Sequence, residues 1–357
     1  MTAARAPGQS DRLLGIQVAR GMAALLVCLF HFDNGISWVV GYSPFRGSFA
    51  FGRAGVDFFF VLSGFVIFWV HAGEIGQPPR LTRYVLRRTA RIYPTYWLAT
   101  LVLSLLMLQA SPARLLSEPD WVIRSIFLIP QDRPPIMELG WTLQHEMLFY
   151  TLFAVLIAHR LTGGLLFAAW LLAIGVTCWT SPDGVGPMHL ASPFDLLFFM
   201  GLAAGHIARH ASIMRPMLVT SVGVVLYLLT GWAEVRGIVS ATDLAGRLTY
   251  GVASVTMIVG LVGMERRGQL QLGGWADRFG GMSYALYLFH IIVLLTLQSF
   301  LITVGATAVL PGWFIVYGSL AIILGVAAAI HVGFEIPTIA WINRRFVGVV
   351  RTGKPAA

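Results

Sequence analysis

The sequence predicts an all-α integral membrane protein with about ten transmembrane helices and both termini in the cytoplasm. The 357 residues are 57% hydrophobic and only 11% charged, with a mean hydropathy of +0.75, whereas soluble domains carry about 25% charged residues. The apolar stretches are continuous and do not alternate over ten-residue segments, which argues against an outer-membrane β-barrel. Soluble, fibrous and disordered classes do not fit this composition either.

Ten stretches have the roughly 20 mostly apolar residues that a helix needs to cross a bilayer. Because we find no internal repeat, low-complexity tract or soluble appendage, we expect residues 1–357 to form one membrane-embedded domain without a soluble extension. The long loop at about 110–141 is expected to form a lid or an amphipathic helix near 121–129. The candidate spans lie near 13–33, 54–71, 92–109, 142–159, 162–180, 193–208, 216–232, 245–264, 281–301 and 312–333.

The basic residues predict the orientation of the chain. With a cytoplasmic N-terminus, seventeen Arg and Lys residues, including Arg5, Arg12, Arg351 and Lys354, lie in cytoplasmic segments and seven lie outside. The positive-inside rule therefore places both termini in the cytoplasm. A net charge of +9 can indicate nucleic-acid binding, but here it is explained by cytoplasmic arginines. We expect membrane lipids and no nucleic acid as partners.

The first predicted span carries two ionisable side chains, Arg20 and His31. Such groups cost about 2.5 kcal/mol or more near the bilayer centre, which makes them candidates for function. Eleven residues make three helical turns, so both side chains share one helix face about 16 Å apart. This spacing fits a binding tunnel, although a snorkelling arginine and an interfacial histidine would also explain it.

Asp57 begins the second predicted span at a depth similar to that of His31. Its carboxylate could orient that imidazole, as an acid does in hydrolytic triads, or could simply cap the helix. Ser63 and Gly64 follow in the same span, where small residues usually allow close helix packing. A nucleophilic Ser63 is the less favoured reading.

A basic segment precedes the third predicted span. Arg87, Arg88 and Arg91 have helical spacing, so their guanidinium groups can converge and bind a polyphosphate at a cytoplasmic entrance. Lipid headgroups are the equally plausible alternative. Glu335, near the end of the last span, is expected to pair with an arginine of this segment.

The remaining candidates lie on the fourth and ninth predicted spans. Glu146 is about one turn inside the membrane and needs a partner, and we expect it rather than His145 to face the centre. Trp141 and Tyr150 are interface or packing aromatics by type, and His290 is a packing or hydrogen-bonding group. With Ser63, these three residues are our candidates for contacts with the substrate.

Six motifs occur in order over almost the whole chain, and together they resemble the membrane acyltransferase 3 family. Within it, the WTLxxEMxFY form and the lack of a hydrolase-like extension resemble the bacterial exopolysaccharide O-acetyltransferases of the succinoglycan type. The chain departs from the family in having His290-Ile291 where many members have His-Pro. It also has FEIP where FERP is common. The motifs are Arg20-x10-His31, GVDFFFVLSGF at 55–65, RRTARIYPTYW at 87–97, GWTLQHEMLFY at 140–150, SYALYLFH at 283–290 and FEIP at 334–337.

The resemblance implies that Arg20 and His31 are an essential pair and that Arg88 and Arg91 bind acyl-CoA. It also places Asp57, Ser63, Glu146 and His290 in the family's characteristic set. The hypothesis is transfer of an acetyl group from acetyl-CoA to a sugar or lipid-linked oligosaccharide hydroxyl in the bacterial inner membrane, without a metal. His31, held by Asp57 or Glu146, would act as general base; an acyl-imidazole intermediate is a variant. A lipid, peptidoglycan or macrolide acceptor, or a ten-helix transporter without chemistry, are the alternatives.

Overall fold

A computed structural model describes residues 13–110, 112–181, 190–240 and 243–348. The regular structure in these ranges is helical throughout, which confirms the predicted all-α class. The terminal basic residues Arg5, Arg12, Arg351 and Lys354, which contribute to the predicted orientation, lie outside the described residues.

Each of the ten predicted spans corresponds to a long helix. Between them lie the shorter helices α4 (Pro112–Ser117), α5 (Pro119–Phe127) and α11 (Gly274–Gly281), and α14 (Ile336–Ile342) follows the last. The long helices are α1 (Leu14–Val40), α2 (Gly55–His71), α3 (Leu81–Ala110), α6 (Gly140–Ala158), α7 (Arg160–Thr180), α8 (Pro193–His210), α9 (Pro216–Val235), α10 (Leu244–Arg266), α12 (Ser283–Thr303) and α13 (Gly312–Ile330).

Eight of the helices in the described ranges are long and apolar enough to cross a membrane. The chain is therefore a multi-pass membrane protein. The two long helices outside this set are α6 and α8, which carry ionisable side chains such as Glu146 and Asp195. The count of ten spans and the side of the termini remain predictions.

Helix α1 packs against α2, α11 and α12. Its contacts with α12 join His31 to His290 and, one turn further along α1 and two turns further along α12, the carbonyl of Gly35 to the side-chain amide of Gln298. Both contacts advance in the same direction along the two helices. Helices α1 and α12 therefore run parallel, as the first and ninth of ten predicted spans should.

Helix α2 packs against α8 through two glycines. A Cβ atom on Gly64 would collide with the carbonyl oxygen of Phe198, and one on Gly201 would collide with that of Val61. Small residues at such a crossing let two helix backbones approach closely inside a membrane. Gly64 thus serves the close packing predicted from the sequence, and this crossing fixes the position of α2 against α8.

Helix α3 begins at Leu81, eleven residues before the predicted span. The prediction considered only the apolar part, whereas the preceding arginine-rich turns are also good helix formers and continue the same helix. Pro94 lies within α3, where its ring removes one backbone hydrogen bond. The basic segment and the third span are consequently one continuous helix.

The loop that follows α3 contains the predicted amphipathic helix, observed as α5. Trp121 and Ser125 form its buried face, and the hydroxyl of Tyr96 on α3 donates to the carbonyl of Ser125 over 2.6 Å. The indole of Trp97 donates to the carbonyl of Ile126 over 2.9 Å. These bonds hold α5 against α3.

The last long helix does not end at Ile330. A π-helical turn, His331–Glu335, joins α13 to α14, and π-turns are frequent at functional sites. His331 and Glu335 are both buried, so this turn brings a carboxylate into the interior near the basic segment of α3.

The α2–α8 crossing gives the first prediction. Gly64→Ala should lower the melting temperature of the purified protein, because overpacking costs about 1–3 kcal/mol and exceeds the roughly 1 kcal/mol that alanine gains in a helix. Gly164→Ala on α7 is the matched control, since a Cβ there meets nothing within 4 Å. The interpretation is wrong if both variants melt at the same temperature in a detergent thermal-shift measurement.

Candidate active site

A cavity opens between α1, α2, α3, α6 and α12. It encloses about 920 Å³ of space outside protein atoms, part of it open to solvent. Its polar lining comprises three arginines, one carboxylate and several hydroxyls, and the rest of the wall is apolar. The polar residues are Arg20, Ser63, Arg88, Arg91, Thr142, Glu146, Tyr150, Ser283, Tyr284 and Tyr287.

Arg20, Arg88 and Arg91 bring three guanidinium groups to this cavity. Arg91 Nη1 forms an ion pair with Glu335 Oε1 at 2.7 Å, which confirms the pairing expected for Glu335. Arg20 donates to the amide oxygen of Gln17. Arg88 donates to His71 Nε2 over 3.0 Å, and neither Arg20 nor Arg88 forms an ion pair with a described carboxylate.

Arg87 was expected to join this cluster, but it does not line the cavity. Adjacent residues on a helix point about 100° apart, so Arg87 and Arg88 face different ways. Arg20, from a helix distant in the sequence, takes the third position instead. Among the residues that the structure describes, the Nε atom of Arg88 and the hydroxyl of Ser283 are buried without a hydrogen-bond partner. They are unused polar groups at the cavity wall.

Glu146 faces the cavity, as expected, and is held by two hydroxyls. Ser63 donates to its Oε1 over 2.6 Å and Tyr150 donates to the same oxygen over 2.5 Å. In the described part of the chain its other carboxylate oxygen accepts no hydrogen bond. Ser63 and Tyr150 therefore position the carboxylate, and its second oxygen can accept a hydrogen bond from a ligand.

His31 is held by His290. The Nδ1 atom of His290 lies 2.9 Å from the carbonyl of Leu286, and its Nε2 lies 3.2 Å from His31 Nδ1. Since a carbonyl only accepts, the neutral His290 ring is protonated on Nδ1 and its Nε2 accepts. His31 Nδ1, which also lies 2.9 Å from the carbonyl of Val27, is then the donor. The lone pair of neutral His31 is consequently on Nε2, ready to take a proton.

The structure corrects the two carboxylates predicted to hold His31. Asp57 is buried and pairs with Arg247, with Oδ1 and Nη1 3.2 Å apart, and Glu146 is engaged with Ser63 and Tyr150. Asp57 and Arg247 are 190 residues apart. No pattern in the sequence indicated that their helices would turn these two side chains towards each other. Instead of a carboxylate, His31 contacts the imidazole of His290.

Trp141 does not reach the cavity. It packs in an aromatic cluster with Phe60, Phe194 and His145, and His145 Nδ1 lies 2.7 Å from Asp195 Oδ1. The packing role considered for Trp141 thus fits its position, and a contact with substrate in the cavity does not.

Tyr287 lies between the cavity and the histidine pair. Its ring lines the cavity and its centroid is 6.3 Å from that of His290, whereas neither His31 nor His290 lines the cavity. The hydroxyl of Tyr287 is 2.9 Å from Thr142 Oγ1 and 3.3 Å from the carbonyl of Leu139. The site is therefore divided into an arginine-lined cavity and a histidine pair, and Tyr287 contacts both.

The motifs on these helices belong to a known family. The profile of acyltransferase family 3, described as an acyltransferase domain, matches residues 13–331. The chain belongs to this family and is a membrane O-acyltransferase.

A relative is the exopolysaccharide production protein ExoZ of Rhizobium meliloti (strain 1021). It is 30% identical over 253 residues, which cover 68% of this chain and 76% of ExoZ. No solved structure matches the chain. Among the described residues, no group of three or more His, Cys, Asp or Glu side chains could hold a metal ion.

The Asp57–Arg247 pair gives the second prediction. Asp57→Leu leaves Arg247 buried and unpaired, which costs about 3 kcal/mol or more, so the melting temperature should fall by several degrees. The double variant Asp57→Leu/Arg247→Met removes both charges and should recover most of that loss. A double variant that melts below Asp57→Leu would show that the pair does not stabilise the fold in this way.

Proposed function

We propose that the protein transfers an acetyl group from acetyl-CoA at the cytoplasmic face of a bacterial inner membrane to a hydroxyl of an exopolysaccharide sugar. One observation carries this proposal. Arg20 and Arg88 line a cavity without a carboxylate partner among the described residues, and Tyr287 joins this cavity to a histidine with a basic nitrogen. ExoZ, a relative whose name is exopolysaccharide production protein, supports the sugar acceptor.

The cavity suits the donor chemically. Arg20 and Arg88 can bind the diphosphate of coenzyme A, because guanidinium groups form strong, directional hydrogen bonds with phosphates. The apolar wall and the unused polar groups at Arg88 Nε, Ser283 and Glu146 suit the pantetheine arm, which alternates methylene groups with amides. Arg91, neutralised by Glu335, then acts mainly to fix the shape of the basic wall.

The reaction needs the thioester to pass Tyr287 and reach His31. His31 Nε2 takes the proton of the acceptor hydroxyl while the hydroxyl oxygen forms a bond to the thioester carbonyl carbon. The tetrahedral oxyanion then collapses, the carbon–sulfur bond breaks, and the imidazolium returns its proton to the coenzyme A thiolate. His290 Nε2, which accepts a hydrogen bond from His31 Nδ1, stabilises the imidazolium in the interval.

Other acceptors remain alternatives within the same chemistry. A lipid, peptidoglycan or macrolide hydroxyl would be activated by His31 in the same way, and mass spectrometry of the organism's glycans distinguishes them. The transporter alternative does not agree with membership of an acyltransferase family.

The third prediction tests the division of labour between the two parts of the site. Arg20→Ala/Arg88→Ala should weaken acetyl-CoA binding to the purified protein about 10-fold or more, since charged hydrogen bonds contribute about 1.5–3 kcal/mol each. His31→Ala should bind acetyl-CoA but release coenzyme A at least about 100-fold more slowly. Normal turnover by folded His31→Ala protein would overturn the mechanism. Absence of acetyl-CoA binding by the wild type would remove the proposed donor.

The fourth prediction concerns His290. His290→Gln keeps a side-chain acceptor near His31 Nδ1, whereas His290→Leu does not. We expect kcat to fall on the order of 100-fold in the leucine variant and clearly less in the glutamine variant, with the KM for acetyl-CoA similar in both. Equal kcat values for the two variants, at equal folded yield, would contradict a hydrogen-bonding role for His290.

A further inference from the structure

A second recess opens between α1 and α12, beyond the histidine pair. It has a volume of about 690 Å³ including open solvent, and it is lined by Asn34, Gly35, Trp38, Leu295, Gln298 and Ile302. The mechanism above uses none of these residues. Two amide side chains and one indole are therefore gathered at a place where the surrounding helices are otherwise mostly apolar.

The recess continues the face of α1 that carries His31. Asn34 and Trp38 lie three and seven residues after His31, so the three side chains lie on one helix face, with Asn34 about 5 Å further along the axis. On α12, Gln298 lies two turns after His290 and donates to the carbonyl of Gly35. The absence of a side chain at Gly35 lets the Gln298 amide approach the backbone. The recess thus begins one turn from the catalytic histidine pair.

The polar groups of this recess have spare hydrogen-bonding capacity. The Asn34 side chain is exposed, and it forms no hydrogen bond with any described residue. Gln298 uses its amide nitrogen on Gly35, which leaves its side-chain oxygen as an acceptor. Both amides can therefore form hydrogen bonds with water or with a ligand in the recess.

Trp38 adds an exposed aromatic surface to the recess. Its side chain is 85% exposed in the last turn of α1, which ends at Val40. An exposed indole presents a flat apolar face with one N–H donor, and the C–H face of a pyranose ring is a flat apolar surface surrounded by hydroxyls. An indole next to two amides therefore matches a sugar better than it matches an acyl chain alone.

We infer that the recess formed by Asn34, Trp38 and Gln298 is the acceptor subsite, in which a saccharide stacks on Trp38 and directs a hydroxyl towards His31. This inference rests on the proposed function and names where the acceptor of that reaction binds. The donor then approaches the histidine pair from the arginine-lined cavity, and the acceptor approaches it from the opposite end of α1.

The test uses the purified full-length chain in lipid nanodiscs, with labelled acetyl-CoA and oligosaccharides of the host's exopolysaccharide from which ester groups have been removed by mild alkali. Coenzyme A release is measured without and with the oligosaccharide. The variants are Trp38→Ala, Trp38→Phe and Asn34→Ala. Trp179→Ala is the matched control, because Trp179 is 87% exposed and lies at the end of α7, the fifth predicted span, away from the recess.

Trp38→Ala should raise the KM for the oligosaccharide about 10-fold, which corresponds to about 1.4 kcal/mol, without a matching rise in the KM for acetyl-CoA. Asn34→Ala should raise it less, Trp38→Phe should restore most of the affinity, and Trp179→Ala should match the wild type. Equal acceptor KM values in all variants would overturn the subsite. Equal effects of Trp38→Ala and Trp179→Ala would overturn it too, because they would indicate that both indoles only anchor the protein in lipid.

Two further outcomes separate this inference from the proposed function. If the wild type hydrolyses acetyl-CoA and the oligosaccharide does not accelerate coenzyme A release, the saccharide subsite is overturned while the donor half of the proposal stands. If the wild type neither binds nor hydrolyses acetyl-CoA, the proposed function fails, and this inference fails with it.

Discussion

The cost of placing a charge in the hydrocarbon core governs this structure. An ionisable group there must find a partner or face water, and the interior is organised around such partners. Asp57 pairs with Arg247, Glu335 with Arg91 and His331, and Glu146 with two hydroxyls. In the described part of the chain, Arg20 and Arg88 line a cavity without a carboxylate partner. Their charges are available to an anionic ligand, and this distinguishes the functional region from the purely structural pairs.

The sequence predicted the helices well and their partners poorly. Hydropathy depends on consecutive residues, so all ten apolar segments appear as helices, and α3 differs mainly by the arginine-rich turns at its start. The partner of a buried charge depends on how distant helices are rotated against each other. The sequence therefore did not reveal Arg247 as the partner of Asp57 or His290 as the partner of His31. Glu335 was an exception, because the basic segment near it was the obvious source of a counter-ion.

The two parts of the site solve different chemical problems. Phosphate binding requires fixed positive charge, which the arginine-lined cavity supplies. Proton transfer requires an unprotonated nitrogen. Because His31 and His290 both donate from Nδ1 to backbone carbonyls, Nε2 of His31 remains unprotonated. Tyr287 lines the cavity with its ring and packs against His290. This arrangement keeps the permanently charged arginines out of contact with the imidazole that has to accept a proton.

The pairing of His31 with His290 also has a consequence for how the protein is made. The two residues are 259 positions apart, and a ribosome adding 5–20 residues per second needs roughly 15–50 s to reach the second after the first. During this interval, α1 is already synthesised while its parallel neighbour does not yet exist. Arg20 and His31 must meanwhile be accommodated by lipid headgroups, water or the insertion machinery. The active site is therefore completed late, and α1 packs against α2 long before it can pack against α11 and α12.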